Sequence, residues 1–348
     1  MTMIGSSKRY PLGRPLNVRR HARIVSTGSG VPDEVVTNQD LIEEFGLLAT
    51  DRAVQFSIGI VERRRAKDDA TSPEYLAKAA TECIERASIE PAQVDRIIYA
   101  RLFGDQFIPA TALRVLQRLG LRRGIPVMDI SAACSGAMHA LEMALAYINA
   151  GENYVLVLGG DRCAPRAEPS LKRDTRTVFL NGDGFAGILL GASTQARFLA
   201  RYFYTDSDLL DFAYVPFGTA MLNGSREFGP DMGMLNMPDG PRIHRSVMDS
   251  CRIISERLLG LSGLTIADID FVITSDQTHI VWKEQLKALG VPESKSTSCF
   301  HKYGNTVAAM VPLNLNEAIC SGALQRGMKV LMMGHGAGAS GGGFIFEY

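Results

Sequence analysis

Several things are scarce in this chain of 348 residues, and each scarcity removes a class of function. There is no excess of charge, because 37 Lys and Arg balance 37 Asp and Glu. A protein built to grip nucleic acid or an anionic bilayer carries a surplus of cations, so neither partner is expected. No hydrophobic run approaches the roughly 18 residues that span a membrane. The opening stretch lacks the apolar segment of a secretory signal, so a cytoplasmic protein is expected. Six cysteines, at positions 83, 134, 163, 251, 299 and 320, include no C-x-x-C pair. That removes a disulfide framework and a zinc site, and no metal or resident cofactor is expected. Tryptophan occurs once, as Trp282.

What is present reads as an ordinary globular protein. Hydrophobic residues make up 46% of the chain and charged residues 21%, and the length suffices for a large core. The 34 glycines and 14 methionines suit tight turns and an adaptable apolar pocket. Between Ser7 and Arg23 the chain is basic (Lys8, Arg9, Arg14, Arg19, Arg20, Arg23), and residues 1–22 read as a flexible arm.

The remainder repeats itself. Pro91–Tyr99 (PAQVDRIIY) and Ile266–Ile273 (IADIDFVI) each follow an amphipathic helical stretch and lead into a buried strand. Asp95 and Asp270 lie 175 positions apart (270 − 95), and so do the strands starting at Val155 (VLVLG) and Val330 (VLMMG) (330 − 155). Apolar runs without alternation suit strands covered on both faces, with helices packing as crossovers. A duplicated α/β unit follows. The expected organisation is a first half over 23–198, an insertion over 199–241 and a second half over 242–348. The stretch Tyr202–Gly240, rich in Phe, Gly and Met (Phe212, Phe217, Met221, Met232, Met234, Met237), fits neither repeat and reads as a pocket cap.

One cysteine stands apart. In Pro126–Met138 (PVMDISAACSGAM) a short strand runs into Ala132-Ala133-Cys134-Ser135-Gly136, and Ala137–Ala150 follows as a helix apolar nearly all round. Cys134 therefore sits where a buried helix begins. The free N–H groups and partial positive charge there favour a thiolate, and they suit the oxyanion of a tetrahedral intermediate. The other five cysteines read as core residues.

This segment resembles the nucleophile turn of β-ketoacyl-acyl-carrier-protein synthase III, and further motifs follow in that family's order. They are GSGVPDEVVTNQDL at Gly28–Leu41, IGIVERR at Ile58–Arg64, NGDG at Asn181–Gly184, YGNTVAAMVP at Tyr303–Pro312 and GGGF at Gly341–Phe344. The likeness covers about residues 22–348. It implies the five-layered αβαβα fold of the thiolase superfamily, built of two duplicated halves, in a homodimer or a heterodimer with a related chain. It also implies that Cys134 is acylated from an acyl-carrier-protein or coenzyme A thioester. Asn305 would then bind the thioester carbonyl or incoming nucleophile, and the N–H groups of Cys134 and Gly342 would form the oxyanion hole.

Two departures shape the expectation. The family's catalytic His belongs to an H-Q-A-N motif, and here Ser275-Asp276-Gln277-Thr278-His279 stands in its place, with Asp276 at the His position. An ionised Asp would repel an enolate but would act as a base toward a hydroxyl or amine. His279 is the first candidate to supply the imidazole, with His301, His335 or Asp276 itself as alternatives. The Trp that stacks on coenzyme A adenine falls at Ala53 here, and its Arg neighbour at Ser57. A carrier-protein thioester is therefore the expected donor, met by Arg162, Arg166, Lys172 or Arg173. The acyl group would pass to carbon in a condensation, or to a hydroxyl or amine, in specialised-metabolite or fatty-acid-like biosynthesis. The other reading is a degenerate scaffold subunit of a heteromeric complex.

Overall fold

The computed structural model describes residues 19–106, 108–121, 124–165, 176–215 and 235–348. Its first sheet contains β1 (His21–Ser29), β4 (Arg96–Arg101), β5 (Val127–Ser131), β6 (Tyr154–Asp161) and β7 (Gly184–Ser193), in the order β1-β7-β6-β4-β5. The second contains β8 (Phe198–Thr205), β9 (Phe271–Ile273), β10 (Lys329–Gly336) and β11 (Ser340–Glu347), in the order β8-β11-β10-β9. A small ribbon pairs β2 (Val35–Thr37) with β3 (Glu62–Arg64).

Between the two large sheets lie α5 (Gly136–Ala150) and α10 (Met310–Cys320). Outside the first sheet pack α3 (Ser72–Ala87) and α4 (Ala112–Arg118), and outside the second α7 (Gly240–Ser262) and α8 (His279–Leu289). Five layers result, in the order αβαβα. A further cluster gathers α1 (Asn38–Phe45), α2 (Asp51–Ile58), α6 (Arg176–Leu180) and α9 (Phe300–Tyr303) beside the first half.

The apolar strand runs follow from this layering. On β6, Val155 and Val157 face the middle layer while Leu156 and Leu158 face α3. On β10, Val330 and Met332 face the middle layer while Leu331 and Met333 face the outer helices. A strand wetted on neither face needs no polar alternation. The middle helix α5 buries Ala137, Met138, Ala140, Leu141, Ala144 and Ile148, and small residues on it let the sheets approach.

The duplication extends to strand register. Arg96 pairs with Val155 in the first sheet and Phe271 with Val330 in the second, each member shifted by 175 (271 − 96 and 330 − 155). Both neighbouring aspartates clamp the next strand. Asp95 accepts from the N–H groups of Asn153 and Tyr154, and Asp270 from that of Lys329 at 2.8 Å. The place of β5 is marked in the second half by one parallel bridge, Val272 to Ser296.

Two expected boundaries move. Residues 199–205 are not insertion, because β8 is the edge strand of the second sheet and pairs antiparallel with β11. Residues 19–22 are not a loose arm. The N–H groups of Arg19 and Arg20 both donate to Asn149 Oδ1, at 2.7 and 3.1 Å, and β1 starts at His21. Lys8, Arg9 and Arg14, and likewise Phe217, Met221, Met232 and Met234, lie outside the described residues.

Candidate active site

A cavity of about 1190 Å³ opens between the two halves, with Cys134 and Asn305 both on its wall. Phe212, Leu235 and Met237 from the flanks of the inserted segment line it too. Cys134 sits on, and Asn305 two residues before, a turn that leads into a middle helix. Ala133–Ser135 turns from β5 toward α5, and Val307–Ala309 turns into α10. The first residue of each turn has left-handed backbone: φ is +47° at Ala133 and +55° at Val307. Neither side chain suits that region, and such strain persists where surrounding packing over-determines it. No side chain caps the first turn of either helix; the Gly136 and Met310 N–H groups donate instead to the carbonyls of Ala133 and Val307 in the turns.

Cys134 is half-buried and reaches the cavity. Protein surrounds the sulfur elsewhere, and burial pushes the thiol up to about 12, against the pull of its own backbone N–H. Burial works against the thiolate here, in opposition to the charge of the helix terminus. Gly336, from the other half, packs tightly against this turn. A Cβ on Gly336 would lie 2.7 Å from the backbone nitrogen of Ser135 and 3.1 Å from that of Cys134.

Asn305 is buried, and its backbone is locked to the segment at 180–182. Its N–H donates to the Leu180 carbonyl at 2.8 Å, and its carbonyl accepts from Gly182 at 3.2 Å. The Val307 N–H donates to Asn305 Oδ1 at 2.8 Å. With the oxygen so engaged, the amide NH₂ is the group left to serve the cavity. The NGDG motif supports this arrangement. Asp183 accepts from the N–H groups of Ala66 and Ala164, both at 2.7 Å, and any side chain at Gly182 would strike the Tyr303 carbonyl.

The aspartate at the family's His position faces away. Asp276 is buried, and it accepts from Ser298 Oγ at 2.6 Å, Asn314 Nδ2 at 2.7 Å and the Phe300 N–H at 3.2 Å. Burial raises its carboxyl to about 6, with these donors holding it lower than burial alone would. It is absent from the cavity wall, whereas Gln277 and Thr278 line it.

Nor does His279 fill the vacancy. Its ring stacks on Trp282 with centroids 5.0 Å apart and meets His301 edge-on at 6.1 Å, and Gly59 packs against its Cβ. The first turn of α8 turns this side chain toward α2 and away from the cavity wall, which it does not line. His301 is exposed and does not line it either.

Gly342 is displaced from its expected role as well. It lies in the interior strand β11, paired with Gly334 on one side and Phe203 on the other, so sheet ladders occupy its neighbourhood. A Cβ there would meet the Phe203 ring at 2.1 Å. The hairpin Gly336–Ala339, between β10 and β11, reaches the cavity beside Cys134 instead.

The expected carrier-facing cations fare differently. Arg162 lines the cavity, with its guanidinium donating to the carbonyls of Ala70 at 2.6 Å and Lys67 at 3.1 Å. Arg166, Lys172 and Arg173 lie outside the described residues. Trp282 is buried and donates to Ser296 Oγ at 2.9 Å, so it is no adenine platform.

His335, Ser246 and Gln277 also line the cavity, and sequence spacing did not single them out as a group. His335 is buried at the end of β10. Its Nδ1 and Nε2 meet the hydroxyls of Ser250 at 2.7 Å and Ser246 at 3.1 Å. Two seryl groups one helical turn apart on a cavity-facing helix were the available signal.

Two like halves, one bringing a thiol and the other an amide to a shared cavity, define a class: the thiolase-fold acyltransferases, which work through thioesters. Comparison with known proteins then narrows the class. The family description 3-oxoacyl-[acyl-carrier-protein] synthase III matches residues 128–207, and its C-terminal counterpart matches 259–348. The chain is 30% identical over 330 residues to the β-ketoacyl-[acyl-carrier-protein] synthase III of Alkalilimnicola ehrlichii, covering 94% of this chain and 99% of that one. The crystal structure of 3-oxoacyl-[acyl-carrier-protein] synthase III from Aquifex aeolicus matches with a TM-score of 0.81 at 30% identity, over 94% of this chain and 100% of that one. A priming β-ketosynthase from the R1128 polyketide pathway matches with a TM-score of 0.85 at 27% identity, over 96% and 98%. The chain belongs to the β-ketoacyl-[acyl-carrier-protein] synthase III family of type III ketosynthases.

Proposed function

We propose that the chain is a condensing enzyme that forms a carbon–carbon bond, with carrier-protein thioesters as substrates. Cys134 attacks an acyl thioester; the bond to the carrier sulfur breaks, the thiol proton leaves with the carrier thiol, and an acyl-cysteine remains. A β-carboxylated acyl thioester then loses carbon dioxide. Its enolate carbon attacks the acyl-cysteine, the bond to the cysteine sulfur breaks to release a β-ketoacyl thioester, and the expelled thiolate takes a proton from water. The N–H of Cys134 and a main-chain N–H of the 336–338 loop form the oxyanion hole, and the Asn305 amide binds the acceptor carbonyl.

One observation carries the choice of carbon over a hydroxyl or amine acceptor. Asp276, the candidate base, is turned into a pocket of three donors and does not line the cavity. The Asn305 amide remains at the site, and a neutral donor of this kind suits a developing enolate oxygen. The apolar edge residues of β5 (Val127, Met128, Ile130) are half-buried, and Ile108 is 85% exposed, which supports a dimer with a second copy. On α2, Ala53 and Ser57 offer neither a ring nor a cation at the two clamp positions, with Phe56 exposed between them, and this supports a carrier protein as donor.

Intact-protein mass after incubation with acyl-carrier thioesters tests this reading. An acyl adduct that forms on the wild type and vanishes in Cys134→Ala is the expected result, together with a β-ketoacyl product when a malonyl carrier is added. An adduct without any condensed product would move the chemistry to another acceptor. No adduct with any thioester would leave a scaffold subunit.

A further inference from the structure

We propose that Ser246, oriented by His335, is a donor of the acceptor site: its hydroxyl binds the thioester carbonyl of the incoming acyl group, beside Asn305, in the role vacated at position 276. The inference rests on the condensing reading above.

The placement comes first. His335 is tethered to both neighbours of Asp276. Its N–H donates to Ser275 Oγ at 3.1 Å, and its carbonyl accepts from Gln277 Nε2 at 3.2 Å. The next residue, Gly336, abuts the nucleophile turn closely enough that any Cβ would crowd the Cys134 nitrogen. His335 is thus the imidazole fastened to both the Cys134 turn and the segment that has lost its own. Its ring and Ser246 lie on the cavity wall together.

The direction of donation comes next. The ring contacts two hydroxyls, and Ser250 Oγ in turn contacts the Tyr204 hydroxyl. A phenol is a stronger acid than an alcohol, so Tyr204 donates to Ser250. Ser250 then donates to Nδ1, Nε2–H donates to Ser246 Oγ, and the Ser246 proton is left for a ligand. Burial keeps the imidazole neutral, with its ordinary value lowered to about 4. Only a neutral ring accepts at one nitrogen and donates at the other, so the relay needs that state.

The test uses the full chain and a malonyl-pantetheine amide, in which NH replaces the thioester sulfur so that the acceptor carbonyl is kept and Cys134 cannot be acylated. Calorimetry on the wild type, Ser246→Ala, His335→Phe and His335→Gln reads the binding. Loss of one hydrogen bond predicts about tenfold weaker binding for Ser246→Ala and His335→Phe. His335→Gln keeps a donor near the Nε2 position and should recover most of that loss, which a merely space-filling role would not predict. Wild-type affinity in Ser246→Ala, or equal weakness in the Gln and Phe variants, overturns the proposal. Failure of the condensing reading shows separately, as absence of acyl adduct on wild-type Cys134.

Discussion

At the scale of single residues, burial rather than formal charge decides what each group does. Desolvation pushes the Cys134 thiol up to about 12 and lifts Asp276 to about 6, while His335 is lowered to about 4. The His335 shift has a measurable consequence with a definite sign. The unfolded chain binds a proton at this histidine near 6.5, whereas the folded chain resists it until about 4, and burial is the sole cause, with hydroxyls as the ring's partners. Between those values the unfolded state holds more protons, so this residue's stabilisation is full above about 6.5 and fades as the pH falls. His335→Gln does not titrate. Urea unfolding at pH 7.5 and pH 5 should show the wild type losing ground to the variant on acidification, by up to roughly 2 kcal/mol. A pH-independent difference would show that the ring is not buried neutral. Cys134 and Asn305 were legible because turn motifs announce themselves in neighbouring residues. His335 was less so, because a lone histidine at a strand end acquires meaning only from the seryl pair that folding brings to it.

At the scale of elements, the strand-to-helix turn at 132–136 depends on a hairpin from the other half. Gly336 sits against it so closely that a methyl group would fall 2.7 Å from the Ser135 nitrogen and 2.9 Å from its hydroxyl. Neither the backbone nor a hydroxyl already bonded to Ala132 and Ser340 has room to retreat. Gly336→Ala should therefore push the nucleophile turn aside, and acyl loading of Cys134 should drop at least tenfold. Circular dichroism should stay native, since strand pairing from Lys329 onward is untouched. Loading at the wild-type rate would mean the turn is softer than its left-handed Ala133 implies. The strands themselves were readable from their unbroken apolar runs. The insertion was read too long by the length of β8, whose buried and half-buried residues alternate, so that it lacks the doubly apolar signature of the interior strands.

At the scale of the whole molecule, the middle layer ties the halves into one folding unit. Leu141 is fully buried in a cluster that takes Val157 and Ile188 from the first sheet and Met332 and Phe344 from the second. Leu141→Ala should cost about 3 kcal/mol. Urea unfolding should stay a single transition, because the lost contacts belong to both halves at once. Two separated transitions in the variant would show that each half holds its own core. The offset of 175 exposed this duplication before any coordinates did, because strand register preserves spacing.

The twin left-handed turns carry one last implication. Ala308 occupies in the second turn the middle place that Cys134 holds in the first, and the two turns touch. Had both copies kept a sulfur, the axis between the halves would carry a pair of thiols open to air oxidation. A methyl group at Ala308 leaves Cys134 with no sulfur facing it across that axis.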